Sequence, residues 1–213
     1  MWWFIQGSIM SPYTRQRLRR AWGLCSRHAW GYLVVDASFR HGYLHGPVVL
    51  YEDLMQRALA TFAVPGPART IRVIKGLRDK GPCLICEIGY GPESTAQVKE
   101  ERLLKGRDLT ELRAFASRTE PHWRHGVCGR CLGNDGSASR CRRHLIEDWE
   151  AGARLDLSAH LDGVQEVAGR LAKYSRSFVF EKRGTATDED RSALISAVGW
   201  CSGWRTLMNI LEQ

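Results

Sequence analysis

The chain lacks the short signatures of common catalytic machinery. Its 213 residues contain no Walker-type phosphate loop, no G-x-S-x-G and no H-E-x-x-H. That removes a phosphate cradle, a nucleophile elbow and a catalytic zinc helix. There is no apolar run approaching the roughly 20 residues that a membrane-spanning helix needs. Residues 1–14 carry no side-chain charge and so lack the basic start of a secretory signal. A cytoplasmic protein with no membrane partner is therefore expected. In a reducing compartment, paired cysteines favour metal or redox chemistry over structural disulfides.

With 44% hydrophobic and 25% charged residues, the composition is that of a globular protein. The length is sufficient to bury a core without help from a metal. Any ion would then lock local architecture. The formal net charge is +8, which permits a nucleic acid or an anionic surface as partner without requiring one. Positive charge concentrates at Arg15, Arg17, Arg19 and Arg20, and again at Arg140, Arg142 and Arg143. Solvated helix faces are the default reading of such runs.

The seven cysteines are the informative feature. Six of them fall into four pairs with two-residue gaps: Cys25/His28, Cys83/Cys86, Cys128/Cys131 and Cys141/His144. At that spacing two side chains reach one ion from a single turn, and zinc takes thiolate and imidazole ligands in such sets. Taken alone, Cys128 to His144 reads as one compact four-ligand site. Two structural zinc ions are the expected cofactor, with an iron–sulfur cluster as the thiolate-rich alternative. A dithiol redox role for the C-x-x-C pairs is the other alternative, although the β-α-β pattern of a thioredoxin-like setting is absent. Cys201 stands alone among aromatic residues and reads as a buried apolar side chain. His41 and His45 read as loop or core histidines, and His122 and His125 as reserve ligands. Asp135 in N-D-G reads as turn chemistry, and Glu147, Asp148 and Glu150 as partners for ligand groups.

The periodicity predicts a mainly α protein, bundle-like, with short zinc-knuckle or ribbon elements and little β. Trp2 to Ile5 form an apolar lead-in. Helices are expected from Ser11-Pro12 to Trp22, from His28 onward, and from Gly46-Pro47 to Phe62. Pro65 to Arg69 is the candidate linker between an N-terminal helical half, residues 1–64, and a C-terminal half, residues 65–213, packed as one unit. T-I-R-V-I, residues 70–74, alternates like a short strand. A helix over about Glu93 to Ser117, breakable at Gly106, buries Leu103, Leu104, Leu109, Leu112 and Phe115. Ser139 caps a helix carrying Cys141 and His144. Further helices span Ser158 to Tyr174 and Thr187 to near Trp204.

R-L-R-R-A-W-G-L-C-S-R-H-A-W and S-A-S-R-C-R-R-H-L-I-E-D-W echo one another, each leading C-x-x-H into a helix. With P-C-L-I-C-E-I-G, these segments resemble a prokaryotic family of helical proteins of unknown function with repeated C-P-x-C … G-x-C-x-x-H units. The likeness spans about Met10 to Trp204, and its specificity lies in the short motifs. The resemblance implies helical architecture and metal, but no chemistry. This chain departs from that pattern by lacking the first C-P-x-C and adding Cys128/Cys131. If the added pair replaces the lost one, the ligand sets are Cys83, Cys86, Cys141 and His144, and Cys25, His28, Cys128 and Cys131. The competing set joins the two C-x-x-C pairs. The motifs favour a binding module for protein or nucleic acid over an enzyme.

Overall fold

A computed structural model of the chain describes residues 11–89, 98–134 and 138–212. The lead-in at Trp2 to Ile5 and the turn at Asp135 lie outside them. The described residues are helical, with no strand among them. Helix α1 (Pro12–Arg20) starts behind Ser11 with Pro at its first position and carries Arg17, Arg19 and Arg20 in its last turn, where cations suit the negative helix end. It stops because Trp22 and Gly23 take left-handed backbone and Gly23 N–H donates to Leu18 O at 2.8 Å. A Cβ at Gly23 would come within 3.0 Å of Leu54 Cδ1, so glycine is needed for both turn and packing.

Helices α2 (Ser26–Phe39) and α3 (His45–Phe62) follow. The segment expected as a strand is instead α4 (Arg69–Leu77). Val73, Ile74 and Leu77 are buried while Ile71 is 57% exposed. The i, i+1, i+4 set is therefore the one that finds the core, and the Ile71/Val73 alternation is incidental. A short turn, α5 (Leu84–Glu87), comes next. The long helix expected up to Ser117 does break at Gly106, into α6 (Glu100–Lys105) and α7 (Thr110–Trp123). Leu103 and Leu104 are exposed, against expectation, whereas Leu112 and Phe115 are buried. The six-residue α6 buries none of its side chains.

Beyond the knuckle lie α8 (Arg142–Glu150), α9 (Leu157–Arg176), α10 (Asp188–Ser202) and α11 (Arg205–Glu212). Asp156 caps α9 by accepting from Ser158 and Ala159 N–H. Thr187 and Asp190 close a reciprocal capping box on α10. Helix α10 is apolar nearly all round, from Ala193 to Cys201, as a helix enclosed by others must be. It packs against α3, α7 and α9, and α3 also lies along α9. Trp22, Trp30, Trp123 and Trp204 are fully buried, and each of the first three donates its indole N–H to a backbone carbonyl.

The turn after α10 was not legible in advance, nor was α11. Gly203 takes a positive φ, and the chain folds back so that the Trp204 indole lies on Gly199. A Cβ there would sit 2.3 Å from the ring. Gly199→Ala is expected to lower stability by about 1–3 kcal/mol through forced displacement of Trp204, read by denaturant unfolding. A wild-type midpoint would show that the indole does not rest there.

One buried acid is unbalanced. Asp36 on α2 is 1% exposed, both carboxylate oxygens lack a hydrogen-bond donor, and Arg40 Nε is 3.6 Å away. Burial pushes its pKa up to about 7, with Arg40 pulling weakly the other way. An acid raised on folding costs stability as pH climbs from its unfolded value, near 4, to its folded value. The penalty is absent below that window and complete above it. Asp36→Asn is expected to stabilise the protein at pH 8, on the order of 2–4 kcal/mol, with little gain at pH 4. Equal gains at both pH values would refute the assignment.

Candidate metal centres

The eight paired ligands converge into two quartets: Cys25, His28, Cys83 and Cys86, and Cys128, Cys131, Cys141 and His144. In each quartet the donor atoms all lie within 4.8 Å of one another. Both quartets have the same construction. A cysteine stands at the N-cap of a helix, Cys25 before α2 and Cys141 before α8, and the histidine follows in the first turn. The C-x-x-C pair sits on a separate short turn, α5 for Cys83/Cys86 and the 3₁₀ turn Gly129–Leu132 for Cys128/Cys131.

This corrects the pairing drawn from the family resemblance. Cys83/Cys86 does not meet Cys141/His144, and Cys128/Cys131 does not meet Cys25/His28. The first C-x-x-H finds its partner downstream, because α2 to α4 carry the chain out and back to its own start. The second quartet closes locally, as Cys128 to His144 alone suggested. Ser139 is not the cap. Its carbonyl accepts Gly129 N–H, which folds the Cys128 turn against the start of α8.

In the first quartet Nδ1 of His28 lies 3.3 Å from Cys25 Sγ, 3.5 Å from Cys83 Sγ and 3.3 Å from Cys86 Sγ. Cys25 and Cys86 sulfurs are 3.8 Å apart. In the second, His144 Nδ1 lies 3.1, 3.4 and 3.4 Å from Cys128, Cys131 and Cys141 sulfurs. Cys131 and Cys141 sulfurs are again 3.8 Å apart. A tetrahedron with metal–sulfur bonds of about 2.3 Å and a metal–nitrogen bond of about 2.05 Å has edges of about 3.8 and 3.6 Å. Both donor sets thus fit one tetrahedral ion each.

Crowding makes the thiols of each quartet share their protons unevenly. The hydrogen bond from Cys25 pulls Cys83 down to about 3 despite burial, while that same bond and burial push Cys25 up. Hydrogen bonds from Cys131 and Cys141 pull Cys128 down, and Cys141 is pushed up by Cys128, Cys131 and burial. A divalent cation among the donors would replace the shared protons.

The quartets differ in exposure. Cys128, Cys131 and Cys141 are buried, whereas Cys86 is exposed and Cys25 and Cys83 are half-buried. Charged side chains also brace the second set. Asp148 takes Arg130 on one carboxylate oxygen and Arg140 on the other, at 2.5 Å each. Those hydrogen bonds hold its pKa below the usual range, although burial opposes them. Glu147 faces the outer nitrogen of His144 at 3.8 Å. Glu150 does not take part and pairs with Arg78.

Most of the two arginine runs is engaged locally. Arg17 pairs with Glu87, Arg19 with Asp53 and Arg143 with Glu147, and Arg20 donates to Lys80 O. Arg142 is buried. It donates to the carbonyls of Leu77 and Cys201, and pairs with Asp79 at 2.8 Å. His41, His45, His122 and His125 belong to neither quartet. His122 and His125 line, with His160, a cavity of about 210 Å³ beside Ser139 and Arg140. Cys201 is buried in the core, and burial raises its pKa to about 12.

The pairing is open to direct test. Cys25→Ser combined with Cys83→Ser is expected to remove one equivalent of metal, whereas Cys25→Ser with Cys128→Ser removes two. Elemental analysis of the purified double variants reads the difference, and the reverse pattern would restore the crossed pairing.

No family model, curated protein or solved structure matches this chain.

Proposed function

We propose that the chain is a helical binding module stabilised by two structural zinc ions. The carrying observation is that each quartet places three cysteine sulfurs and one imidazole at the corners of a zinc-sized tetrahedron. Four protein ligands leave no open position for a water or substrate, which favours a structural ion over a catalytic one. Zinc so held supplies local folding energy and no redox chemistry. A sulfur separation of 3.8 Å suits thiolates that share one ion. A multi-iron cluster, which carries its own sulfides, holds its cysteines further apart. Thiol redox chemistry by the C-x-x-C pairs is the weaker reading, because each pair faces a complementary C-x-x-H across the same small space. Cytoplasmic residence is part of the proposal. It is compatible with the absence, among the described residues, of any helix long and apolar enough to cross a membrane.

Protein purified without oxygen is expected to be colourless and to hold two zinc equivalents by mass spectrometry. Iron with visible absorbance would replace this reading with the cluster alternative. A chelator is expected to remove the two ions in separate phases, first the one beside exposed Cys86. Cys141→Ser is expected to lose one equivalent and unfold the knuckle and α8. Structural zinc contributes on the order of 10 kcal/mol, more than so short a segment holds by itself. Unchanged amide exchange in that segment would argue against a structural ion there.

A further inference from the structure

The loop from Ser177 to Thr187, joining α9 to α10, combines exposed aromatic side chains with cationic ones. Its inner side is a column of rings. Phe115 stacks on Tyr174 at 6.4 Å, Tyr174 meets Phe178 at 5.0 Å, and Phe178 meets Tyr43 edge-on at 5.0 Å. These four rings line a recess of about 300 Å³, together with the guanidiniums of Arg118, Arg183 and Arg191. Arg118 lies 5.8 Å above the Phe115 ring. Tyr43 is 44% exposed, and Phe180 at the tip of the loop is 81% exposed.

The charge balance is positive on both sides of the loop. Asp188 is shared by two of the lining residues, Arg118 at 3.1 Å and Arg191 at 2.9 Å, so one carboxylate answers two guanidiniums. A second recess, of about 390 Å³, lies on the other side between Lys173, Arg176 and Lys182. Three cations there face one acid, Asp190, whose carboxylate accepts in the helix cap. Glu181 is the one acidic residue of the loop itself. Near the metal centres Arg17, Arg19, Arg130, Arg140, Arg142 and Arg143 each face a carboxylate.

We infer that this loop binds single-stranded nucleic acid, with bases stacking on Tyr43, Phe178 and Phe180 and the phosphate backbone passing Lys173, Arg176, Lys182 and Arg183. Aromatic platforms interleaved with cations are the general means of holding unpaired strands, whose bases have free faces. A duplex hides those faces. An anionic membrane would be met by apolar side chains on a convex tip, where this loop offers only Val179 and Phe180. Here Tyr43, Tyr174 and Phe178 line a concave recess among guanidiniums, which suits a planar base. This inference rests on the binding-module reading and names its partner.

The test is fluorescence anisotropy with labelled oligo(U) and oligo(dT), using zinc-loaded full-length protein at low and at physiological salt. Binding that weakens with salt is expected. Phe180→Ala and Tyr43→Ala, both at exposed side chains, are each expected to weaken binding about fivefold or more. The pair Lys182→Glu and Arg183→Glu is expected to weaken it at least tenfold and to lower the salt dependence. Arg154→Glu, an exposed charge reversal outside the loop, should have little effect. Circular dichroism and zinc content are read on every variant, so loss of fold is seen separately. No binding by folded protein with two zinc ions would overturn this inference and leave the metal reading standing. Equal loss with Arg154→Glu would overturn it as a general charge effect. Preference for vesicles of phosphatidylcholine and phosphatidylserine over oligonucleotide would transfer the loop to a membrane role. Uridine monophosphate binding as tightly as the oligonucleotide would overturn the strand.

Discussion

The guanidinium of Arg142 is where the separate parts of this molecule are joined. It lies two residues before His144, inside the second C-x-x-H, and is 5% exposed. From there it donates to the carbonyl ending α4 at Leu77 and to that of Cys201 near the end of α10. Both are at the negative poles of helices, where a cation is most favourable. Asp79 balances its charge and the Trp22 ring covers it, 5.4 Å away. A buried cation is tolerable only when its donors are answered in this way. Arg142 can reach that position only if α8 starts at the right place and direction, and the thiolate cap and first-turn histidine of the second quartet set both. The local closure of Cys128 to His144 therefore has a long-range consequence, which it exerts through the arginine between its ligands.

The first quartet ties the chain differently. Its ligands are up to 61 residues apart, against 16 in the second. By loop-closure entropy alone, the longer tie restricts the unfolded chain more, by about 1 kcal/mol. It is also the more exposed of the two. The contacts that connect them run through the turn after α10. Ser202 Oγ donates to Leu24 O, Ser26 meets Thr206, and Gly203 O receives the Trp30 indole N–H. On its other side that turn approaches Cys131, whose sulfur lies 3.9 Å from where a Gly203 Cβ would stand. Gly199 and Gly203 matter because they let the turn lie between both centres.

Much of this was legible in the sequence, and the failures have physical causes. All eight ligands could be read from two-residue gaps, because a chelating turn is a local property. Which turns meet is not local. The echo between the two C-x-x-H segments suggested order along the chain, while the outward and return path of α2 to α4 decided the matter. The mainly α class followed from apolar periodicity. The supposed strand at residues 70–74 failed because five residues contain too little of either period to separate two from 3.6. Leu103 and Leu104 failed because α6 is too short to be held against the core. The arginine runs were visible as charge, but nothing in a linear pattern discloses the carboxylates and carbonyls that most of them engage.

Those engaged runs bear on where a partner can be bound. A solvated helix face was the default reading of Arg140, Arg142 and Arg143. Their charges instead hold α8 and the knuckle in place. His160, near the start of α9, shares its cavity with Ser139 and Arg140 of the second centre, and the aromatic loop begins where α9 ends. At 1.5 Å per residue, roughly 17 residues of α9 put the two about 25 Å apart. That is well beyond the Debye length at physiological ionic strength, about 8 Å, so the ion's charge cannot assist a ligand at the loop directly. Any influence must travel through the rigidity of α9 and the packing of α10 beneath it. The second quartet and the loop thus lie toward opposite ends of α9: at one end cysteines, a histidine and ion pairs fix the helices, and at the other cations and an aromatic ring are exposed.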